Sequence, residues 1–397
     1  MYLLRRTNPG IRTLIPVALA VFLVWLIFDQ RNRGADFAAY YAAGQMIRDG
    51  HTSELYSVPA QALYQNALHR QPWVPFCHLP IEVACLVPFT HFVYSTAYVL
   101  WCFFNLACVA LSFWILRSFR ENMPRVAFWA ALAVPLTANV LCGQDAGLLL
   151  LIYAWAYVSL ARGDDVAGGC ALGLGLLHYG LTIPFLAMLA PQVRRKAIAW
   201  FAATGSFLFA ASSLIAGRTF IPDYLAVLRY QALQKDPTYL TLMPSVLGLV
   251  GSPQHPVAYL LIALALLGWG TWAISQERRK AISTAFAIGI PVALAADPHG
   301  FTYGWVLLAI PALILEGDRI AHLILYTVPV VLLFCAGVLN RPALAAILLL
   351  FLAAYPCWLA GYFTEPCDAP ENSFACGCAG RPCQVERSCV SGNCRYD

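Results

Sequence analysis

This sequence predicts an all-α polytopic membrane protein, on three observations. Hydrophobic residues make up 60% of the 397-residue chain and charged residues only 11%, with a mean hydropathy of +0.66. A soluble domain carries about 25% charged residues. Apolar runs of about 17–25 residues recur along the chain, the length a helix needs to cross a bilayer. Basic residues collect in short clusters between those runs, which is the pattern that fixes orientation. The net charge of +5 therefore reports topology and not nucleic-acid binding. A soluble enzyme is excluded, the lipid bilayer is the first expected partner, and no nucleic acid is expected.

Helix one covers about Thr13–Phe28, and Arg5, Arg6 and Arg12 place its N-terminus in the cytoplasm. It lacks a small-residue cleavage site and reads as a retained anchor. Residues 30–79 follow as an outer loop, longer than most connections. The loop opens with ADFAAYYAAGQMIRDG, in which Asp36, Tyr40, Ala43 and Ile47 share one helical face. Asp36 falls at the water–lipid boundary. There its carboxylate either meets the polar head of a lipid-linked substrate or caps an amphipathic helix near its N-terminus. Asp49-Gly50 breaks this helix, and a second polar helix is expected near Pro59–His69. The run Val83–Leu116 is too long for one span, so it begins with a short interfacial segment ending near Pro88.

Helix three, about Val126–Leu141, leads out to Cys142-Gly143-Gln144-Asp145, and helix four, about Ala146–Ala161, returns to Arg162. The stretch Val166–Ala190 is broken at His178-Tyr179-Gly180. Arg162 precedes it and Arg194, Arg195 and Lys196 follow it, so both flanks vote for the cytoplasm. One crossing cannot satisfy both. The expectation is a broken or re-entrant pair with its polar apex on the outer side, since irregular backbone at membrane depth must be buried or line a cavity. A straight helix is the alternative and would reverse every later loop. Ala197–Ala216 then opens into a second outer segment, residues 217–256. Val257–Ile274 descends and Ala281–Ala295 rises to Asp297-Pro298-His299-Gly300. Val306–Leu315, Ile320–Val338 and Ala343–Phe363 complete about twelve membrane segments. Residues 1–363 form one membrane domain, and 364–397 are a polar, Cys-rich tail. On this count Asp36, Gln144, His178, Arg229 and His299 all face outward.

Six stretches carry a family likeness, in chain order: ADFAAYYAAG, PFCHLPIEVACLVPF, GQDAGLLLL, AGGCALGLGLLHYGLTIP, MPSVLGL and ADPHGFTYGWVLL. Together they resemble the family-87 glycosyltransferases, membrane enzymes of the GT-C type that use polyprenyl-phosphate sugars. The likeness covers about residues 30–320. It implies a GT-C-like bundle with outer-face amphipathic helices, in a bacterial plasma membrane with the active site on the outer face. It further implies a polyprenyl-phosphate sugar donor, mannose first, a lipid or glycan acceptor, no cofactor, and an inverting direct displacement. Two departures stand out. His178-Tyr179 occupies the turn where the family usually has lysine, and Tyr303-Gly304 stands where Tyr-Asp is frequent.

Such a transfer needs a base within about 3 Å of the acceptor hydroxyl, a group to stabilise the departing phosphate, and a groove for the polyprenyl chain. Asp36 is the candidate base, by the resemblance and by its boundary position. His299 is the second catalytic candidate, against a satisfied histidine at a helix end. His178 could meet phosphate, as could Arg229 and Lys235 from the second outer segment, although a solvated loop charge explains those two equally. His78 and Glu82, spaced i, i+4, could face the cavity together or form a structural pair. Gln144 could bind substrate, or with Asp145 simply satisfy a turn. Tyr40 and Tyr41 could stack on sugar or anchor the interface. The closely spaced acidic pattern of a divalent-metal site is missing, so metal-independent transfer is expected. Cys367, Cys376, Cys378, Cys383, Cys389 and Cys394 in the tail leave disulfides and thiolate–metal binding both open. The rival to an enzyme is a transporter or flippase for a lipid-linked or small solute, but no matching halves are visible.

Overall fold

The computed structural model describes residues 9–29, 34–68, 74–117, 126–233, 243, 245–247, 256–275 and 282–314, together with 377–378 and 381–382 of the tail. The architecture is helical apart from a two-residue antiparallel pairing, Gly377–Cys378 with Arg381–Pro382. Among the described residues, four helical stretches meet the length and apolarity of a membrane crossing: Tyr94–Leu116, Asp165–Leu189 (which reverses within its length), Arg195–Ala216 and Pro256–Ser275. Two of the twelve expected segments, Ile320–Val338 and Ala343–Phe363, lie outside the described residues, as do Lys235 and nearly all of the Cys-rich tail.

The elements follow the apolar runs. Helix α1 (Pro9–Phe28) packs on α6 (Val126–Cys142), and α5 (Tyr94–Leu116) packs on α7 (Ala146–Ala161). Trp25, Phe207 and Leu214 stay 59%, 66% and 87% exposed. Large apolar side chains in that state belong in lipid. Between α1 and α5 the chain forms α2 (Ala35–Arg48), α3 (Val58–Ala67) and α4 (Pro80–Ala84), then a 3₁₀ segment at Val87–His91. Helices α3 and α4 start with proline in the first turn, where its missing N–H is no loss. Helix α2 packs against α3, α4 and the 3₁₀ segment, as a lid across one end of the bundle.

The chain reverses between Asp165 and Arg194. Helix α8 (Asp165–Leu174) leads through a 3₁₀ turn, Gly175–His178, into α9 (Tyr179–Leu189). Arg194 Nη1 lies 3.5 Å from Asp165 Oδ2, so the two ends of this stretch meet. A straight helix of this length would hold its ends about 36 Å apart, beyond the return of the few residues before Arg194. The arms take different partners: α8 lies on α7 and on α10 (Arg195–Ala216), while α9 lies on α12 (Pro256–Ser275) and α13 (Ile282–Ala296). Gly169 abuts Ala197 and Trp200, Gly173 abuts Phe201 and Thr204, and Gly205 meets Leu176, so α8 and α10 run parallel. A Cβ on Gly169 would strike the Ala197 carbonyl. Small residues are what allow two apolar helices so close an approach. The reversal satisfies the basic flanks at both ends, and the straight-helix alternative fails.

Helix α11 (Phe220–Leu233) follows α10 through Gly217. After α13, a loop at 297–301, a 3₁₀ segment at Thr302–Leu308 and α14 (Ala309–Ile314) pack back on α6, α7 and α13. Helix α13 is buried along nearly its whole length, which makes it the central post of the bundle.

Candidate active site

The turn between α6 and α7 sets the geometry. Gly143 has φ +70°, and a Cβ there would come within 2.6 Å of Phe37 Cβ, so glycine is required twice over. Trp101 Nε1 donates to the Gly143 carbonyl at 2.9 Å, and Tyr98 Oη donates to the Val140 carbonyl at 2.5 Å. The side-chain oxygen of Asn139 accepts the Ala146 N–H at 3.0 Å, satisfying one of the free donors at the start of α7. Gln144 and Asp145 are thereby fixed side by side, 6% and 1% exposed.

Asp36 reaches that turn from α2. It lies in the first turn of its helix, yet Gly34 is the N-cap and makes no side-chain cap bond. Instead Gln144 Nε2 donates to Asp36 Oδ2 at 2.6 Å. Burial pushes the Asp36 carboxyl above its ordinary value, and the Gln144 hydrogen bond and His78 pull it back only in part. One turn along the same face, Tyr40 Oη donates to Gln144 Oε1 at 3.3 Å and meets His78 Nε2 at 2.9 Å. His78 Nδ1 is 3.2 Å from Glu82 Oε1. Burial pulls His78 down, but the Glu82 and Asp145 carboxylates together outweigh it and leave the imidazole above its ordinary value.

A second histidine–carboxylate pair stands opposite. His178, at the apex of the reversed stretch, has Nε2 2.7 Å from Asp145 Oδ2. Burial raises Asp145, and the His178 contact, His78 and a backbone hydrogen bond together more than offset it, so the carboxyl sits below its ordinary value. The other oxygen of Asp145 is buried with no hydrogen-bond partner among the described residues. The His78 and His178 rings approach edge to face at 5.8 Å between centroids.

These groups line one cavity of about 610 Å³. Asp36, Tyr40, His78, Gln144, His178 and His299 all contribute to its wall. Glu82 stands behind His78, outside the lining. Tyr41 turns away with Phe37, donating its hydroxyl to the Phe92 carbonyl at 2.7 Å. Arg229 is exposed on α11 and is also absent from the lining, whereas its neighbour Tyr230 takes part. The wall also includes Tyr179, Asp297, Phe301 and Tyr303, none of which was a site candidate from the sequence. Asp297 Oδ1 accepts the His299 backbone N–H at 2.9 Å, which shapes the loop. Its place two residues before His299 was the available signal. Among the described lining residues no Lys or Arg occurs, so the cations on offer are imidazolium groups. Among the described residues no cluster of three or more His, Cys, Asp or Glu is arranged to hold a metal ion.

A carboxylate of raised basicity, three histidines and a largely apolar, aromatic wall can bind a polar head joined to an apolar chain and take a proton from a hydroxyl. Neither the curated proteins nor the solved structures hold a match to the chain. The model for glycosyltransferase family 87 matches residues 76–298, which include His78, Gln144, Asp145, His178 and Asp297 but not Asp36 or His299. With more than half of its length matched, the chain belongs to glycosyltransferase family 87 and is a glycosyltransferase.

Proposed function

We propose that the protein moves a sugar, mannose first, from a polyprenyl-phosphate donor to a hydroxyl of a lipid or glycan acceptor, at the outer face of a bacterial plasma membrane. The observation that carries this reading is Asp36. Its carboxyl lines the cavity, is raised by burial, and has Oδ1 without a hydrogen bond among the described residues. The acceptor oxygen attacks the anomeric carbon while its proton passes to Asp36 Oδ1. The bond from that carbon to the phosphate oxygen breaks, and polyprenyl phosphate leaves with the electron pair. Attack from the side opposite the phosphate inverts the anomeric centre.

The departing phosphate needs hydrogen-bond donors aimed at it. His178 and His78 stand together on the cavity wall, each oriented by a carboxylate behind it, and His299 faces the same space. His178 takes the position where the family usually has lysine, so donor binding here would use an imidazole in place of a fixed ammonium. Apolar lining from Leu149, Leu177 and Leu294 is suited to the first isoprene units.

The test is transfer of labelled sugar by membranes containing the protein, with polyprenyl-phosphate mannose compared against nucleotide-activated mannose. Label reaching lipid or glycan only from the polyprenyl donor supports the reading. Transfer only from the nucleotide sugar, in membranes unable to make the polyprenyl donor, contradicts it.

A further inference from the structure

We infer that Gln144 is a positioning residue for the base: it holds Asp36 Oδ2 so that Oδ1 is the oxygen turned to the acceptor. The inference rests on Asp36 being the base. It replaces the expectation that Gln144 binds substrate.

The orientation of the Gln144 amide follows from its two neighbours. A carboxylate only accepts hydrogen bonds, so the amide nitrogen must face Asp36, at 2.6 Å. The amide oxygen then faces Tyr40 Oη at 3.3 Å and accepts from it. With its proton committed, Tyr40 accepts from His78 Nε2 at 2.9 Å. The other ring nitrogen of His78 lies 3.2 Å from Glu82 Oε1 and 3.3 Å from Tyr40 Oη. One direction of donation therefore runs from Tyr40 through Gln144 to an ionised Asp36.

Gln144 cannot easily be moved aside. It is 6% exposed, follows a glycine at φ +70°, and sits in a turn tied to Trp101 and Asn139. Among the described residues its amide bonds to Asp36 and Tyr40. The charged and titratable groups around Asp36 are His78, Tyr40, Cys142 and Tyr303.

The test uses the full-length protein in membranes, with Gln144→Leu and the size-conserving Gln144→Glu. The first readout is an infrared titration of the Asp36 carboxyl band, identified by its loss in Asp36→Asn. The second is the pH–rate profile, with kcat and donor KM separated. Both variants should move the Asp36 titration to higher pH. The acid limb of kcat should move with it, kcat should fall about tenfold or more from lost alignment, and donor KM should change less than about twofold. An unmoved Asp36 titration overturns the inference. A raised KM with an unmoved limb overturns it in favour of substrate binding. A shifted titration that the acid limb ignores overturns the base assignment itself, and the positioning role with it.

Discussion

Removing the His178 imidazole should reverse the pH dependence that Asp145 gives to folding. Asp145 is 1% exposed, its Oδ2 lies 2.7 Å from His178 Nε2, and its Oδ1 has no hydrogen-bond partner among the described residues. In the wild type the carboxyl titrates below its ordinary value of 3.8. A depressed carboxyl contributes stability that is complete above the unfolded value and is lost as pH falls through the folded one. His178→Ala takes away the main group that opposes burial, so the folded value should rise above the unfolded one. The sign then changes: the variant is most stable below the unfolded value and loses stability as pH climbs. An uncompensated buried charge costs about 3–5 kcal/mol at neutral pH. Thermal unfolding in detergent, from about pH 7 down to pH 5, should show His178→Ala gaining more stability on acidification than the same variant carrying Asp145→Asn, a comparison in which the raised Asp36 and His78 are common to both proteins. Adding Asp145→Asn should recover most of the loss, giving strong coupling in a double-mutant cycle. A His178→Ala protein whose pH dependence equals that of the double variant, or additive single losses, would refute the reasoning.

Two further predictions concern placement. Gly169→Val drives a branched side chain onto the Ala197 backbone, where overpacking costs about 1–3 kcal/mol; unfolding temperatures against the wild type measure it, and an unchanged value would remove the close α8–α10 contact. Tyr41→Phe and Arg229→Ala should each leave transfer within about twofold, because neither side chain lines the cavity. Tyr41→Phe should still lose about 1 kcal/mol of stability with its bond to Phe92.

Much of the membrane architecture was legible from local signals. Helix α7 begins and ends where its apolar run does, at Ala146 and Ala161. Basic residues on both sides of 166–190 were enough to argue for a chain reversal, which the Asp165–Arg194 contact bears out. Helical phase explains both the success and the failure in α2. Asp36 and Tyr40 are four residues apart and share the cavity face, whereas Tyr41, about 100° further round, joins Phe37 against Tyr94. The sequence read two neighbouring tyrosines as equivalent, and the helix separates them. Pairings across the chain were not legible. Asp145 looked like a turn residue, and its partner lies 33 positions away. Arg229 was chosen for charge alone, and only the packing of α11 decides that Tyr230 turns to the cavity instead.

The account turns on Asp36, so the decisive measurement is the pH dependence of kcat for the wild type beside Asp36→Asn, with folding and insertion matched. Wild-type kcat should rise along an acid limb above the ordinary carboxylate value of 3.8, as the raised carboxyl of Asp36 loses its proton. Asp36→Asn should lose that limb and fall about 10²–10⁴-fold in kcat. A folded Asp36→Asn protein that transfers sugar at the wild-type rate, with the limb intact, would contradict the account.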